Sequence, residues 1–265
     1  MCYEKNLEHF NLMSTNIIKK NLNTKFLGKK IYYYQKTNST NDDVWNLFKN
    51  ENANNGTLVV SDNQKRGKGR RSNQWYSEPG LNLTFSFLLN LKISREKLGL
   101  ISLLVGVGIC KGIYHSVKLN ACLKWPNDII LDNKKVGGIL IESKEKKKKI
   151  QLCVGIGINV NSDISKFPIK LQKSSISLIS KNIEPIQREL LLSSILNFIE
   201  SEYLNNFKNV TSNWLFYCSH VNKNVKFHHQ DKIISGEFLG ITNKGYAKIK
   251  ENNKTKIFSA GELLL

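Results

Sequence analysis

Apolar residues recur along this chain with two different periods, and the periods predict an order of strands and helices. Continuous or alternating apolar runs predict strands, whereas apolar residues three and four positions apart predict helices. Strands are predicted at residues 31–34, 58–60, 81–87, 121–125, 129–131, 136–142 and 150–154, and helices at residues 44–48, 98–115 and 189–207. The chain therefore mixes the two kinds of element over most of its length.

The pattern changes character at two places, which predicts three segments. Residues 1–30 are polar and weakly periodic, so we expect a short N-terminal leader with one short helix, too small for a complete DNA-binding winged helix. Residues 31–217 form the predicted main domain. Residues 218–265 carry short strands separated by polar turns, which is typical of a small β-barrel.

The most apolar run, residues 98–110, bears on membrane insertion. It covers about a dozen residues and is interrupted by Gly106 and Gly108, whereas a membrane-spanning helix needs roughly 20 apolar residues. The N-terminus also lacks the apolar core and cleavage site of a secretory signal. We therefore predict a buried helix and a protein without a membrane span.

Charge and cysteine content narrow the class of protein further. The 265 residues include 40 Lys and Arg against 21 Asp and Glu, giving a formal charge of +19. Such a charge is compatible with nucleic acid, an anionic membrane or an acidic partner. The basic residues are scattered along the chain among many Asn and Ile. The favoured interpretation of the positive charge is therefore a general enrichment of the sequence in Lys and Asn. Five widely spaced cysteines without a C-x-x-C pair predict reduced thiols and a cytoplasmic protein.

A basic, glycine-containing segment at residues 66–71 gives the first chemical signal. It reads Arg-Gly-Lys-Gly-Arg-Arg, and combines a free backbone with cations suited to phosphate. An exposed basic turn is the alternative. Gln64 precedes the segment, and Trp75 follows it, where the indole could stack on a purine ring or anchor the loop in the core.

The second signal is the string Lys-Trp-Pro-Asn-Asp at residues 124–128. Asp128 could hold a hydrated Mg²⁺ on ATP phosphates, because that ion is usually held by one or two carboxylates, and Asn127 could orient a phosphate or ribose. The alternative is a structural turn in which Asp128 binds local amides.

The third signal is a run of residues 154–161 in which Gly155 and Gly157 interrupt an otherwise buried strand. Glycine in a strand is destabilising, and a close-approaching ligand or a β-bulge are two reasons for its presence. The segment has no helix-opening G-x-G-x-x-G, so it is not a dinucleotide fingerprint.

Taken in order, these motifs resemble those of biotin protein ligase. The resemblance is strong over residues 31–161 and weaker in the C-terminal segment, and it is carried by Ser39-Thr40-Asn41, Gln64-x-x-Gly67-x-Gly69-Arg70-Arg71 with Trp75, Lys124-Trp125-Pro126-Asn127-Asp128, Lys135-x-Gly137-Gly138-Ile139-Leu140-x-Glu142 and Gly157-Ile158-Asn159. It implies an α+β fold with a central mixed β-sheet flanked by helices, as in class II aminoacyl-tRNA synthetases and biotin-lipoate ligases. A small C-terminal SH3-like β-barrel completes the implied architecture.

The resemblance also implies an activity: ATP and Mg²⁺ are used to form biotinyl-5′-AMP, and the biotinyl group then passes to a lysine of a biotin carboxyl carrier domain. The implied catalytic residues are Lys135, Arg70, Lys124 and Asp128, with Asp128 placing Mg²⁺. The implied substrate-binding residues are Ser39, Thr40, Asn41, Gln64, Gly67, Lys68, Gly69, Arg70, Lys135 and Gly138. The implied nucleotide-binding residues are Arg70, Arg71, Trp75, Asn127, Lys135 and Asn159.

Two departures from the family pattern and two rival functions qualify this hypothesis. The family loop reads Gly-Arg-Gly-Arg-Arg-Gly-Arg, whereas Lys68 and the pair Ser72-Asn73 stand here, which predicts a missing phosphate contact at Asn73. The family's DNA-binding domain is also absent, so we expect no operator binding; a monomer and a homodimer are both left open. The rivals are a lipoate or octanoyl ligase or transferase, and a basic nucleic-acid-binding module.

Overall fold

Two β-sheets form the framework of the computed structural model, which describes residues 12–91, 97–146, 149–205, 207–230 and 232–264. The strands are β1 Ile31–Tyr34, β2 Leu58–Ser61, β3 Leu83–Leu91, β4 Cys122–Lys124, β5 Asp128–Leu131, β6 Lys134–Lys146, β7 Lys149–Ile158, β8 Lys223–His229, β9 Lys232–Ile241, β10 Ala247–Glu251, β11 Lys254–Phe258 and β12 Glu262–Leu264. The α-helices are α1 Thr15–Lys20, α2 Thr40–Lys49, α3 Leu98–Val117, α4 Ile169–Gln172, α5 Arg188–Leu204 and α6 Val210–Tyr217.

The larger sheet has seven strands in the order β1-β2-β3-β7-β6-β5-β4. Only the β1–β2 pairing is parallel among the described strands, so the sheet is mixed, as predicted. The glycine-bearing strand β7 pairs without a register shift to both β3 and β6. The β-bulge proposed for this strand is therefore wrong.

Two hairpins continue the sheet beyond β7. The β5–β6 turn uses Asp132 and Asn133, which both have positive φ (49° and 59°), as a tight two-residue hairpin turn requires. The β6–β7 pairing extends to Lys146 and Lys149, so both strands are longer than the predicted ranges 136–142 and 150–154. The first of these hairpins carries two of the predicted catalytic residues.

Helix α3 is longer than its apolar run and is a core element. It spans 20 residues and by length and composition alone could cross a membrane, but 67% of its most apolar stretch is buried in the protein. It packs on α5, where a side chain at Gly108 or Gly112 would lie within 2.7 Å of the α5 backbone. The prediction of a buried helix is thus confirmed.

The segment predicted as a leader is packed on the main sheet's helical layer from residue 12 onward. It contains one short helix, α1, as expected, and it buries Met13, Ile18, Leu22 and Leu27. The carboxylate of Glu200 on α5 accepts hydrogen bonds from the backbone N–H groups of residues 26 and 27 at 2.9 and 2.8 Å. These contacts hold the segment in place.

The C-terminal sheet is antiparallel, with the order β11-β10-β9-β8-β12. It contacts the larger sheet through Trp125, whose indole N–H donates to the carbonyl of Gly245 at 3.0 Å and whose ring lies 5.7 Å from that of Phe227. Trp125 is 2% exposed. The tryptophan of the second motif is therefore an anchor between the two sheets, and the predicted boundary near residue 218 falls between α6 and β8.

Candidate active site

One cavity brings most of the predicted site residues together. It lies between the start of α2, the basic loop at residues 66–71 and the β5–β6 hairpin, and it holds about 870 Å³ of space including its open mouth. It is lined by Ser39, Thr40, Asn41, Gln64, Lys68, Gly69, Arg70, Arg71, Asn73, Gln74, Trp75, Pro126, Asn127, Asp128, Lys135, Gly138, Ile139, Leu140, Gly155, Ile156, Gly157 and Glu262. Gly67, Lys124 and Asn159 are the predicted residues outside this lining.

At one end of the cavity, which we call the neutral end, uncharged polar groups are joined by short hydrogen bonds. The backbone N–H of Thr40 donates to Oε1 of Gln64 at 2.8 Å, and the Thr40 and Ser86 hydroxyls lie 2.6 Å apart. Ser86 donates to Oδ1 of Asn41, also at 2.6 Å. Thr40, Asn41 and Ser86 are at most 3% exposed, so these groups are fixed in a dry environment.

A carboxylate stands behind the neutral end. Glu142 Oε2 accepts from Nδ2 of Asn41 and from the indole Nε1 of Trp45, each at 3.0 Å. Ser86 and Trp45 were not found by sequence reasoning, and Glu142 was only part of a motif. A polar residue in the apolar pattern of β3 was the one signal that could have pointed to Ser86.

Two glycines of β7 make room for side chains that line the cavity. A Cβ at Gly155 would lie 2.1 Å from Oδ1 of Asn41, and a Cβ at Gly157 would lie 2.4 Å from the ring of Trp75. Neither position can carry a side chain while these neighbours stay in place. The sequence predicted that a ligand would approach these glycines, whereas in the structure the side chains of Asn41 and Trp75 lie against them.

At the other end, which we call the cationic end, two lysines share one carboxylate. Lys135 Nζ lies 2.6 Å from Oδ1 of Asp128, and Lys124 Nζ lies 3.1 Å from Oδ2. Burial alone would raise the pKa of Asp128, but the two ammonium groups outweigh it and leave this pKa below its ordinary value. Asp128 is thus a fixed anion that positions both cations.

The β5–β6 hairpin explains how these residues meet. Asp128 pairs across the ladder with Gly138, and the register shifts between Ile129 and Ile130 so that Ile130 faces Lys135. The Lys135 side chain then folds back over Gly138, where a Cβ would lie 3.3 Å from its Cε. The backbone N–H of Lys135 donates to the carbonyl of Ser174 at 2.8 Å, which fixes the turn.

The basic loop lies over the cavity, where contacts of Arg70 and Lys68 hold it. Arg70 donates to Oδ1 of Asn127 at 2.9 Å and to the carbonyl of Gly261 at 3.4 Å. Burial and the neighbouring Arg71 lower the pKa of Arg70. Lys68 forms an ion pair with Asp42 in the first turn of α2. The loop is therefore an ordered part of the site and not a free basic turn.

The C-terminal sheet contributes to the site, which the sequence did not indicate. Arg71 lies 3.1 Å from Nδ1 of His228 and 3.4 Å from a carboxylate oxygen of Glu262, and Glu262 lines the cavity. Arg71 and Ser72 have φ values of 52° and 63°, in the left-handed region that favours glycine. Ser72 occupies the position at which the family pattern has glycine.

Two predicted nucleotide-binding residues differ in their placement. Trp75 lines the cavity, and its buried Nε1 has no hydrogen-bond partner among the described residues, so it can donate to a ligand. Asn159 is 3% exposed and donates to the carbonyl of Ile176 at 3.1 Å, away from the lining. Its contact with nucleotide stays a prediction.

The geometry of Asp128 also bears on Mg²⁺. Both oxygens of the carboxylate are occupied by ammonium groups, and a divalent cation there would lie close to two positive charges. Within the described ranges no group of three or more His, Cys, Asp and Glu residues is arranged to hold a metal. As placed, Asp128 does not fit a direct Mg²⁺ ligand, because its carboxylate pairs with Lys124 and Lys135.

The fold and the cavity together define a protein ligase of the class that attaches biotin or lipoate. The model of the biotin/lipoate A/B protein ligase family matches residues 33–159, and the model of the biotin protein ligase C-terminal domain matches residues 220–265. The first match covers the larger sheet up to β7, and the second covers the C-terminal sheet, which belongs to the SH3-like type predicted.

Comparison with individual proteins narrows the class. The chain is 32% identical over 254 residues to the bifunctional ligase/repressor BirA of Bacillus subtilis, covering 94% of this chain and 78% of that protein. It is 28% identical to the Homo sapiens biotin–protein ligase over 73% of this chain and 27% of that one. The structure of the Aquifex aeolicus biotin protein ligase in complex with biotin and ATP superposes with a TM-score of 0.77 at 28% identity, covering 89% of this chain and 98% of that one. The chain therefore belongs to the biotin protein ligase family.

Proposed function

We propose that this chain activates biotin with ATP to give biotinyl-5′-AMP and transfers the biotinyl group to a lysine of a biotin carboxyl carrier domain. The observation that supports the proposal is the two-ended cavity. One end offers directed, uncharged hydrogen-bonding groups for a ureido ring, and the other offers paired cations for a carboxylate and phosphates. Biotin has a neutral ring and an anionic tail, so its binding and activation would use both ends of the cavity.

In the first step a biotin carboxylate oxygen attacks the α-phosphorus of ATP. A bond forms between that oxygen and phosphorus, the bond from phosphorus to the bridging oxygen breaks, and pyrophosphate leaves. Two anions must approach each other, so fixed cations stabilise the transition state most. Lys135, held by Asp128, and Arg70, held by Asn127, both line the cavity and supply this charge. Mg²⁺ would arrive with the phosphates of ATP.

In the second step the deprotonated amine of an acceptor lysine attacks the acyl carbon of the adenylate. An amide bond forms, the bond from the acyl carbon to the phosphate oxygen of AMP breaks, and the nitrogen releases one of its two protons to solvent and keeps the other as the amide N–H. Until then the mixed anhydride must be protected from water. The basic loop is suited to this function, because its contacts with α2, Asn127 and Gly261 hold it across the cavity.

The decisive experiment offers the purified protein labelled ATP with biotin or lipoate, followed by a biotin carboxyl carrier domain. We expect biotin-dependent adenylate and a biotinylated acceptor lysine, with little adenylate from lipoate. Adenylate formed only with lipoate would instead support the related lipoate ligase function. Salt-sensitive binding to generic DNA without adenylation would support a nucleic-acid-binding module.

The location and assembly of the protein are part of the same proposal. We propose a cytoplasmic enzyme that acts on a carboxylase carrier domain, without specific DNA binding. Its cysteines at positions 110, 122, 153 and 218 are free thiols, in keeping with a reducing compartment. A sequence-specific footprint on DNA would contradict the absence of operator binding.

A further inference from the structure

Glu142 lies behind the wall of the cavity and takes no part in the adenylation steps described above. Its Oε2 accepts two hydrogen bonds, from Asn41 Nδ2 and from Trp45 Nε1. An ionised carboxylate only accepts hydrogen bonds, and an indole nitrogen only donates them. Glu142 therefore fixes which end of the Asn41 amide faces it, because only the NH₂ group can bond to a carboxylate.

The orientation of Asn41 determines the direction of the next two hydrogen bonds. With Nδ2 turned to Glu142, the Oδ1 atom faces Ser86 and must accept the Ser86 proton, at 2.6 Å. A hydroxyl has one proton, so Ser86 can only accept from Thr40, which lies 2.6 Å away. Thr40 then uses its own proton on Ser86, and Gln64, the more distant neighbour at 3.1 Å, does not receive it.

The consequence at the cavity surface is a fixed order of donor and acceptor. The Thr40 hydroxyl donates its one proton to Ser86, away from the cavity. Toward the cavity, Thr40 Oγ1 can therefore only accept hydrogen bonds. Gln64 Oε1 is bound by the backbone N–H of Thr40 at 2.8 Å, which leaves the Gln64 NH₂ group as a donor. A cyclic urea carries N–H donors beside a carbonyl acceptor, so this order of groups matches it.

We propose that Glu142 is a positioning residue that makes the neutral end selective for a ureido ring, acting through Asn41 and Ser86. This inference rests on the proposed function. Without an acceptor at position 142 the Asn41 amide can turn over, which reverses the protons of Ser86 and Thr40. The Thr40 hydroxyl then points its proton at the N–H of the ligand. Two donors face each other, so the hydrogen bond between Thr40 and the ligand is lost.

The test compares three variants of the full-length chain in adenylate formation. Glu142→Leu removes the acceptor, and we expect the KM for biotin to rise about 10- to 100-fold while the KM for ATP stays within about twofold. Glu142→Gln keeps an acceptor, because both hydrogen bonds end on one oxygen that an amide carbonyl can replace. Its KM for biotin should stay within about threefold of wild type. Trp45→Phe removes only the second donor and serves as the matched control.

Each outcome separates this inference from its alternatives. An unchanged KM for biotin in Glu142→Leu, equal losses in Glu142→Leu and Glu142→Gln, or an equal rise in the KM for ATP would overturn it. If thermal unfolding shows that Glu142→Leu does not fold, Ser86→Ala interrupts the same chain with a smaller change and must show the same biotin-selective loss. A wild-type protein that makes no adenylate from biotin would overturn the proposed function itself.

Discussion

The two ends of the cavity hold their polar groups by different means. At the neutral end Thr40, Asn41 and Ser86 are buried and joined by hydrogen bonds, whose directions we propose that Glu142 sets. At the cationic end Lys135 keeps 39% of its side chain exposed and is held by one ion pair to Asp128. Recognition of an uncharged ring depends on the direction of the hydrogen bonds that it makes, whereas stabilisation of developing charge depends on the sign and position of the neighbouring charged groups.

The largest effect is expected from Lys135→Ala. Removing the ammonium group that we propose faces the reacting carboxylate and phosphate should lower kcat for adenylate formation about 100- to 1000-fold. Lys134→Ala is the matched control, since Lys134 is the preceding, exposed residue of the same hairpin. Full activity of Lys135→Ala would contradict the assignment of this lysine.

Asp128→Asn should weaken the same end less directly. The variant loses the anion that positions Lys124 and Lys135, so we expect kcat to fall about 10- to 100-fold with a smaller change in the KM for biotin. A KM for biotin that rises as much as kcat falls would show that Asp128 also supports the neutral end.

The pH dependence of stability gives an independent test of Asp128. Because its pKa in the folded protein lies below the ordinary value of 3.8, its contribution is complete above that value and is lost as pH falls through the folded pKa. The free energy of unfolding, measured by denaturant titration, should therefore differ between wild type and Asp128→Asn by a constant amount at neutral pH. The difference should shrink below about pH 4; a constant difference down to strong acid would refute the two ion pairs.

Glu262→Gln tests the contribution of the C-terminal sheet. Glu262 places a negative charge on the cavity wall and pairs with Arg71, so its removal should lower the KM for ATP about two- to fivefold. Glu251 lies in the same sheet and forms an ion pair with Lys256. Glu251→Gln removes that carboxylate and should leave the KM for ATP unchanged. Equal effects of the two variants would indicate a general charge effect.

The smallest effect is expected from Asn73→Arg. Asn73 lines the cavity at the position where the family pattern has arginine, so the substitution should add a phosphate contact and lower the KM for ATP about two- to threefold. Steady-state kinetics with ATP as the varied substrate would measure it. A higher KM would show that the loop is shaped for asparagine here.

Local patterns in the sequence were sufficient for much of the fold and for the identity of the site. The residues 124–128 and the basic loop could be recognised because each concentrates unusual chemistry in a few positions, whereas the start of α2 was assigned to the site only through the resemblance to the family. The glycine interruption of β7 predicted a close approach by a ligand, and in the structure the side chains of Asn41 and Trp75 make that approach.

What the sequence could not supply is which distant residues meet. Glu142 reaches Asn41 across 101 positions, and Arg71 reaches Glu262 across 191, so no local spacing indicates either contact. The same limit applies to Trp125, which looked like part of a ligand site and instead joins the two sheets. The ion pairs of Asp128 with Lys124 and Lys135, which bear on its predicted contact with Mg²⁺, could likewise not be read from the sequence.

The division of the cavity is tested most directly by measuring biotin affinity and kcat for adenylate formation in Lys135→Ala and Ser86→Ala. We predict that Lys135→Ala loses mainly kcat, whereas Ser86→Ala loses mainly affinity for biotin, measured as Kd without ATP. If both variants lose the same quantity to the same extent, the two ends do not have separate functions.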